Sequence, residues 1–327
     1  MINLTRRLAL GAFAASVALT PLTAAAQDAP ELTFSAVFSQ NDIRAEMMEK
    51  LKTSVADLYD LQLYYGGTLF AQGTELVAIQ RGNLDMGNIA PQDIAKQIPA
   101  FSILTAAYLF RDADHLKTFF ASEPGAEMIA MAEEQLGIHI LGPTYFGTRQ
   151  VNLRGDKEIM TPEDMAGIKL RMPGGDAWQF LGEALGANPT PMAYAEVYTG
   201  LQSGAIDGQD NPFPNVENMK FYEVTDQIVL TSHLVAYDLL VISQRVWSEM
   251  TDDQRAAFQS AADEAIAWST DQHLAREGEL AAFFEGEGLK IYEPDLVAFR
   301  TFAQQKYLDS DLSADWPEGM LDRINGL

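Results

Sequence analysis

The segment Ile168-Lys169-Leu170-Arg171-Met172-Pro173-Gly174-Gly175-Asp176-Ala177-Trp178-Gln179-Phe180-Leu181 holds a complete strand, loop and helix start. Ile168 to Arg171 has the character of a short strand, Met172 to Gly175 is a Pro/Gly loop, and Asp176 to Leu185 is read as a helix. In open α/β sheets ligands bind just beyond the carboxyl ends of the strands, where the next helix adds unpaired N–H groups and a favourable dipole. Arg171 ends its strand at that place. Its planar fork can give two parallel hydrogen bonds to a carboxylate and keeps its charge when desolvated.

On either side the same alternation continues. Upstream, Thr161-Pro162-Glu163-Asp164 combines a capping Thr, Pro at the first helical position and acids in the first turn. Ile138 to Leu141 and Phe146 to Leu153 read as two extended runs. Downstream come a helix from Tyr194 to Ser203 and a strand from Ala205 to Gln209, while Pro189 and Pro191 suggest a turn. Strands are expected at Leu32 to Phe38, Leu61 to Tyr65 and Leu84 to Ile89, with helices at Ile43 to Leu58 and Gly73 to Gln80. Gln227 to Leu234 and Asp238 to Ser243 read as two further strands. Two α/β series in one chain predict two lobes.

Thr251-Asp252-Asp253-Gln254 is a capping box that opens a helical run to about Phe284. At some 30 residues, or roughly 45 Å, such a helix outreaches one small domain and would bridge both lobes. Two helices broken at Gly278 are the alternative. No flexible linker occurs, so the chain is expected to cross between lobes more than once.

The amino terminus carries Arg6 and Arg7, an apolar run from Leu8 to Leu22, and Ala24-Ala25-Ala26 before Gln27. This is the pattern of a secretory signal over residues 1–26, too short for the roughly 20 apolar residues of a membrane span. Export to an extracytoplasmic space follows. The 22 Lys+Arg against 46 Asp+Glu give a net charge of −24, which disfavours nucleic acid as a partner. The absence of Cys excludes disulfides, zinc thiolates and cysteine nucleophiles.

Signatures of catalysis are missing: there is no GxSxG, GxxxxGK[ST], HExxH, GxGxxG after a strand, or EF-hand loop. His115, His139, His233 and His273 have no metal-spaced partners and read as structural or solvated. No cofactor or metal is implied. Against the acidic background, Arg149, Arg154, Lys157, Lys169 and Arg171 crowd into one short stretch, where even scattering would leave about one or two. An acidic protein that holds an anion needs such a local exception.

From Tyr145 to Tyr222 the blocks GTRQ (147–150), KLR (169–171), ANPTPM (187–192), EVYTGLQSGAIDGQ (196–209) and DNP (210–212) occur in order. This stretch resembles the core signature of solute-binding proteins of TRAP (tripartite ATP-independent periplasmic) transporters. GNLDMG (82–87) and FYEVTDQIVLTSH (221–233) extend the likeness. The resemblance implies an α/β clamshell with crossing strands and one long helix, closing on an organic acid for delivery to a membrane permease. Lobe I is expected from residues 27–148 plus 237–276, and lobe II from 149–236 plus 277–327.

The family's carboxylate-gripping arginine falls on Arg171, its second cleft arginine on Arg149, a supporting asparagine on Asn211, and a ligand-contacting aromatic on Tyr194. Trp178 is read as core. Sialic-acid binders of the family place an acid shortly after the LDM-like strand, where this chain has Asn88 to Gln92, so sialic acid is not the expected ligand. Gln40, Asn41, Gln72, Gln92 and Asp238 are candidate first-lobe contacts. If they face the cleft, a sugar acid such as a uronate or aldonate is favoured; otherwise a C4-dicarboxylate held by Arg149 and Arg171 is. A periplasmic enzyme acting on a carboxylate is the other alternative. A monomer is expected.

Overall fold

The computed structural model describes residues 29–327; the expected signal at 1–26 lies outside them. Nine strands among the described residues form one hydrogen-bonded system: β1 (Glu31–Ser35), β2 (Asp60–Tyr64), β3 (Met86–Ile89), β4 (Ile138–Leu153), β5 (Lys169–Met172), β6 (Asn188–Pro191), β7 (Gly208–Asn211), β8 (Gln227–Ser243) and β9 (Lys290–Tyr292). Their order is β2-β1-β3-β8-β4-β7-β5-β6, with β9 on β8.

Strands β4 and β8 are antiparallel partners along nearly their whole length. At one end β8 pairs with β3 through Leu239 to Ile242, which belongs to the first lobe. At the other, β4 pairs with β7 through Gln150 to Leu153, in the second. Each lobe is thus a small, mostly parallel sheet built on the same two crossing strands.

The sequence divides each crossing strand in two, whereas the structure makes each continuous. The gap read between Leu141 and Phe146 is bridged instead by register shifts between Ile140 and Gly142 and between Tyr145 and Gly147. Bulges absorb the extra residue and bend the strand without ending it. Gly147 cannot be replaced freely: its φ is 123°, and a Cβ there would lie 2.5 Å from Pro212 Cβ and 2.8 Å from Glu277 Oε1. The Pro189–Pro191 segment is an edge strand parallel to β5 and not the expected turn. An edge position tolerates the missing N–H groups.

The capping box at Thr251 opens a single helix, Asp252–Gly286, in which Thr251 Oγ1 accepts from Gln254 N and Gln254 Oε1 from Thr251 N. At 35 residues it spans about 52 Å. Gly278 does not break it, since nothing crowds that position and both flanks are held by packing. Phe258, Ala261 and Ala262 join the first lobe's core, while Leu280 and Phe284 join the second's. The last helices also tie the lobes: helix Leu296–Leu308 packs on helix Asp176–Ala184, whereas Trp316 Nε1 donates to Ser102 Oγ and Arg323 pairs with Glu127 in the first lobe.

Candidate functional site

Between the lobes lies a cleft of about 650 Å³, its mouth included, lined by Arg44, Gln72, Glu75, Asn88, Asp93, Phe146, Arg149, Arg171, Trp178, Tyr194, Asn211, Asn215 and Asp238 among others. Three neighbouring strands, β4, β7 and β5, carry Arg149, Asn211 and Arg171, so residues far apart in sequence share one wall.

Arg171 is 1% exposed and has no ion-pair partner among the described residues. Its Nε donates to Met192 O at 2.9 Å and one Nη2 hydrogen goes to Gln72 Oε1 at 3.0 Å. Burial, reinforced by the nearby Arg149 charge, lowers its pKa from 12.5 to about 10, although Asp210 opposes the shift. An uncompensated cation in a desolvated place is costly unless an anion arrives. The following loop puts Gly175, at φ 124°, against Lys96 of the first lobe; a Cβ there would be 2.7 Å from Lys96 Cε. The lysine end could move aside, so it is the left-handed φ that favours glycine here.

Arg149 is held differently. Its Nε donates to Asp210 Oδ2 at 2.7 Å, and Nη2 reaches Asp210 Oδ1 at 3.0 Å as well as the Asp210 carbonyl. Its guanidinium lies 5.0 Å from the Trp178 ring. Asp210 also takes a hydrogen bond from His233 Nε2 at 3.0 Å, and Thr231 Oγ1 lies 2.8 Å from His233 Nδ1. Burial lowers the His233 pKa, so the ring is neutral, donating to Asp210 and accepting from Thr231. Burial alone would raise the Asp210 carboxyl, but Arg149 and His233 overrule it and bring it to about 2.

Gln72 connects the lobes. Its Oε1 accepts from both Arg171 Nη2 and the Tyr194 backbone N, at 3.0 and 2.9 Å. Tyr194 sits 5.7 Å below the Arg171 guanidinium and takes a bond from Asn215 Nδ2 at 3.0 Å. Asn211 Nδ2 donates to Gln209 Oε1 at 2.6 Å, and Gln209 in turn donates to Asn152.

Of the residues singled out from sequence, Arg171, Arg149, Asn211, Tyr194, Gln72 and Asp238 all line the cleft. Gln40 and Asn41 do not: both are exposed on the turn before helix Ile43–Ser54. Gln92 is buried in a smaller adjoining cavity with Phe146 and Trp178. Trp178, read as core, is buried in the core and also lines the cleft. Arg44, Glu75 and Asp93 were missed. Arg44 lies buried between Phe38 and Phe146, its centre 4.4 and 4.0 Å from the two rings, and is held by Asp42 and Asp238. The Asp42-Ile43-Arg44 spacing was the one available signal, since a capping Asp can also grip an arginine two residues on. Asp93, directly after Gln92, lines the cleft, so an acid does follow the LDM-like strand and sialic acid is not excluded on that ground.

His115 and His273 are buried in structural bonds, His115 Nε2 to Ile324 O and His273 Nδ1 to Ser269 O. His139 stacks on Trp247. Among the described residues no group of acids and histidines could hold a metal ion, and no helix is long and apolar enough to cross a membrane.

Residues 34–311 match the family described as bacterial extracellular solute-binding protein, family 7. A TRAP periplasmic solute-binding protein from Roseobacter denitrificans, solved with bound 3-deoxy-D-manno-oct-2-ulosonic acid (KDO), is 44% identical, covers 91% of this chain and 99% of its own, and superposes with a TM-score of 0.90. The sialic acid-binding periplasmic protein of Vibrio cholerae is 31% identical over 79% of each chain. A relative from Sulfitobacter with bound β-D-galacturonate is 25% identical, with coverage of 90% and 98% and a TM-score of 0.83. With the family matched over most of its length, the two-lobed fold shared and a desolvated arginine waiting in the cleft, this chain belongs to the family 7 extracellular solute-binding proteins, the periplasmic components that capture organic acids for TRAP transporters.

Proposed function

We propose that the ligand is a sugar acid of the ulosonic type, with KDO the first candidate, and that its carboxylate docks on Arg171 with Arg149 beside it. The observation that carries this reading is Arg171 itself, 1% exposed and without an acidic partner among the described residues. Arg149 is already satisfied by Asp210, so its role is to add charge and to hold the wall in place. Asn211, Tyr194, Gln72 and Asp238 complete the lining. Gln40 has no part in it.

Chemical likeness among the relatives supports the ligand class. KDO and sialic acid both carry a carboxylate on the anomeric carbon and a polyhydroxylated tail, and proteins named for these two ligands are among the similar ones. A C4-dicarboxylate is less suited, because the first-lobe wall opposite the arginines carries Glu75, Asp93 and Asp238. We further propose that the lobes divide near 148/149 and 236/237, with the C-terminal helices tying both. The carboxylate binds the second lobe first, and contacts available only in the closed form then shift the population toward it. Moving a 1:99 balance to 99:1 takes about 5.5 kcal/mol of differential affinity.

Calorimetric titration with KDO, N-acetylneuraminate, D-galacturonate and succinate tests the reading. KDO is expected to bind with the lowest Kd and succinate with none measurable; succinate binding more tightly than every sugar acid would overturn it.

A further inference from the structure

The two walls of the cleft carry opposite charge. The charged residues lining it from the second lobe are Arg149 and Arg171, whereas those from the first are Arg44, Glu75, Asp93 and Asp238. The single first-lobe cation of that set is already paired with acids through all three nitrogens, with one hydrogen left on each Nη: Arg44 Nε and Nη2 go to Asp42, and Nη1 goes to Asp238 Oδ2 at 3.0 Å. Lys96 pairs with Asp93 at 2.6 Å. Glu75 is different. It is 4% exposed, and among the described residues its carboxylate has no cation within ion-pair range and takes hydrogen bonds from the backbone at Gly73, Thr74 and Glu75 but from no other side chain. Asn88 adds an unmet acceptor on the same wall, because its buried Oδ1 has no hydrogen-bond partner.

We propose that Glu75, backed by Asp93, is a specificity-determining residue: it accepts hydroxyl protons from the far end of the ligand and excludes a second acid group from that end. The inference rests on the reading that a sugar acid places its carboxylate on Arg171. A wall of acceptors whose neighbouring cations are already engaged demands donors from whatever fills the space opposite. Hydroxyl groups supply them. A carboxylate supplies only negative charge, and two unit charges about 4 Å apart in a partly desolvated place repel strongly enough to cost on the order of a hundredfold or more in Kd. The second-lobe arginines tolerate one acid group, so ligands are confined to polyhydroxylated monocarboxylates. Burial, and after it the neighbouring Asp93, push the Glu75 carboxyl up to about 7, so the exclusion is best measured at a more alkaline pH, where the group is charged.

The test uses D-glucuronate and D-glucarate, which differ by an acid group at one carbon, together with KDO. Each is titrated calorimetrically at pH 8 into the mature protein, its Glu75→Gln variant and the Glu75→Gln/Asp93→Asn double variant. Both changes keep side-chain shape, and melting curves confirm the fold. The expected result is that glucarate binds the variants at least about tenfold more tightly than the unaltered protein, while KDO binding weakens. Glucarate binding the unaltered protein as well as glucuronate, or binding all three proteins with one affinity, would overturn the assignment. If neither KDO nor glucuronate binds the unaltered protein, the sugar-acid reading fails by itself, and glucarate gained by the variants still upholds the role of Glu75.

Discussion

Replacing Arg171 by Met removes the charge, nearly preserves the volume, and separates a ligand grip from a structural ion pair. The fall in the Arg171 pKa from 12.5 to about 10 corresponds to roughly 3 kcal/mol of charge burial that the protein alone does not relieve. No carboxylate loses a partner in this variant, because Arg171 has none among the described residues. Losing the bonds to Met192 O and Gln72 Oε1 costs about 1 to 3 kcal/mol against that relief, so the ligand-free protein should melt close to the parent. Binding should change far more. Two charge-assisted hydrogen bonds to a ligand carboxylate contribute about 3 to 6 kcal/mol together, so Kd should rise by about 10² to 10⁴. Calorimetric titration and differential scanning calorimetry on the same preparations read both quantities. A ligand-free melting temperature lowered by several degrees, with Kd within threefold of the parent, would show that the guanidinium is a structural element and refute the argument.

Arg149→Met is expected to behave oppositely, destabilising the ligand-free protein by about 3 to 5 kcal/mol in denaturant titration, because Asp210 would be left buried with only His233 beside it. The Asp210 carboxyl is depressed from 3.8 to about 2, so its contribution is present above pH 3.8 and lost as pH falls through 2. Asp210→Asn should flatten the stability curve over that window and cost about 2 kcal/mol at pH 7; an unchanged acid limb would refute the coupling. Gln72→Ala removes the acceptor shared by Arg171 and Tyr194, and should weaken ligand binding by about tenfold through the closed form. Small-angle scattering should show less compaction with ligand, and equal compaction in variant and parent would count against it. Gly147→Ala should lower stability by about 2 to 4 kcal/mol, read from the melt, since the new Cβ meets both Pro212 and Glu277 at a positive φ.

Local signals carried much of this protein by themselves. The strand, glycine loop and helix around Arg171 were legible because each obeys a short-range rule of period, turn or cap, and Thr251 with Gln254 marked the start of the long helix for the same reason. Of the clustered cations only Arg149 and Arg171 line the cleft; Arg154, Lys157 and Lys169 are exposed away from it. Other features were decided only by packing. Whether the segment from Gly142 to Tyr145 ends a strand or bends it depends on the partner strand, which is distant in sequence and supplies the hydrogen bonds across the bulge. Arg44, Glu75 and Asp93 occupy unremarkable sequence; they become part of the site because helix starts and loops of the first lobe are carried to face Arg171. Arg149 and Arg171 look alike in the sequence, and their difference lies in Asp210, which pairs with the first and not with the second. Sequence determines what a short stretch prefers, because propensity and capping act over a few residues. Only the folded chain decides which charges are neutralised, because burial and pairing join residues that the sequence keeps far apart.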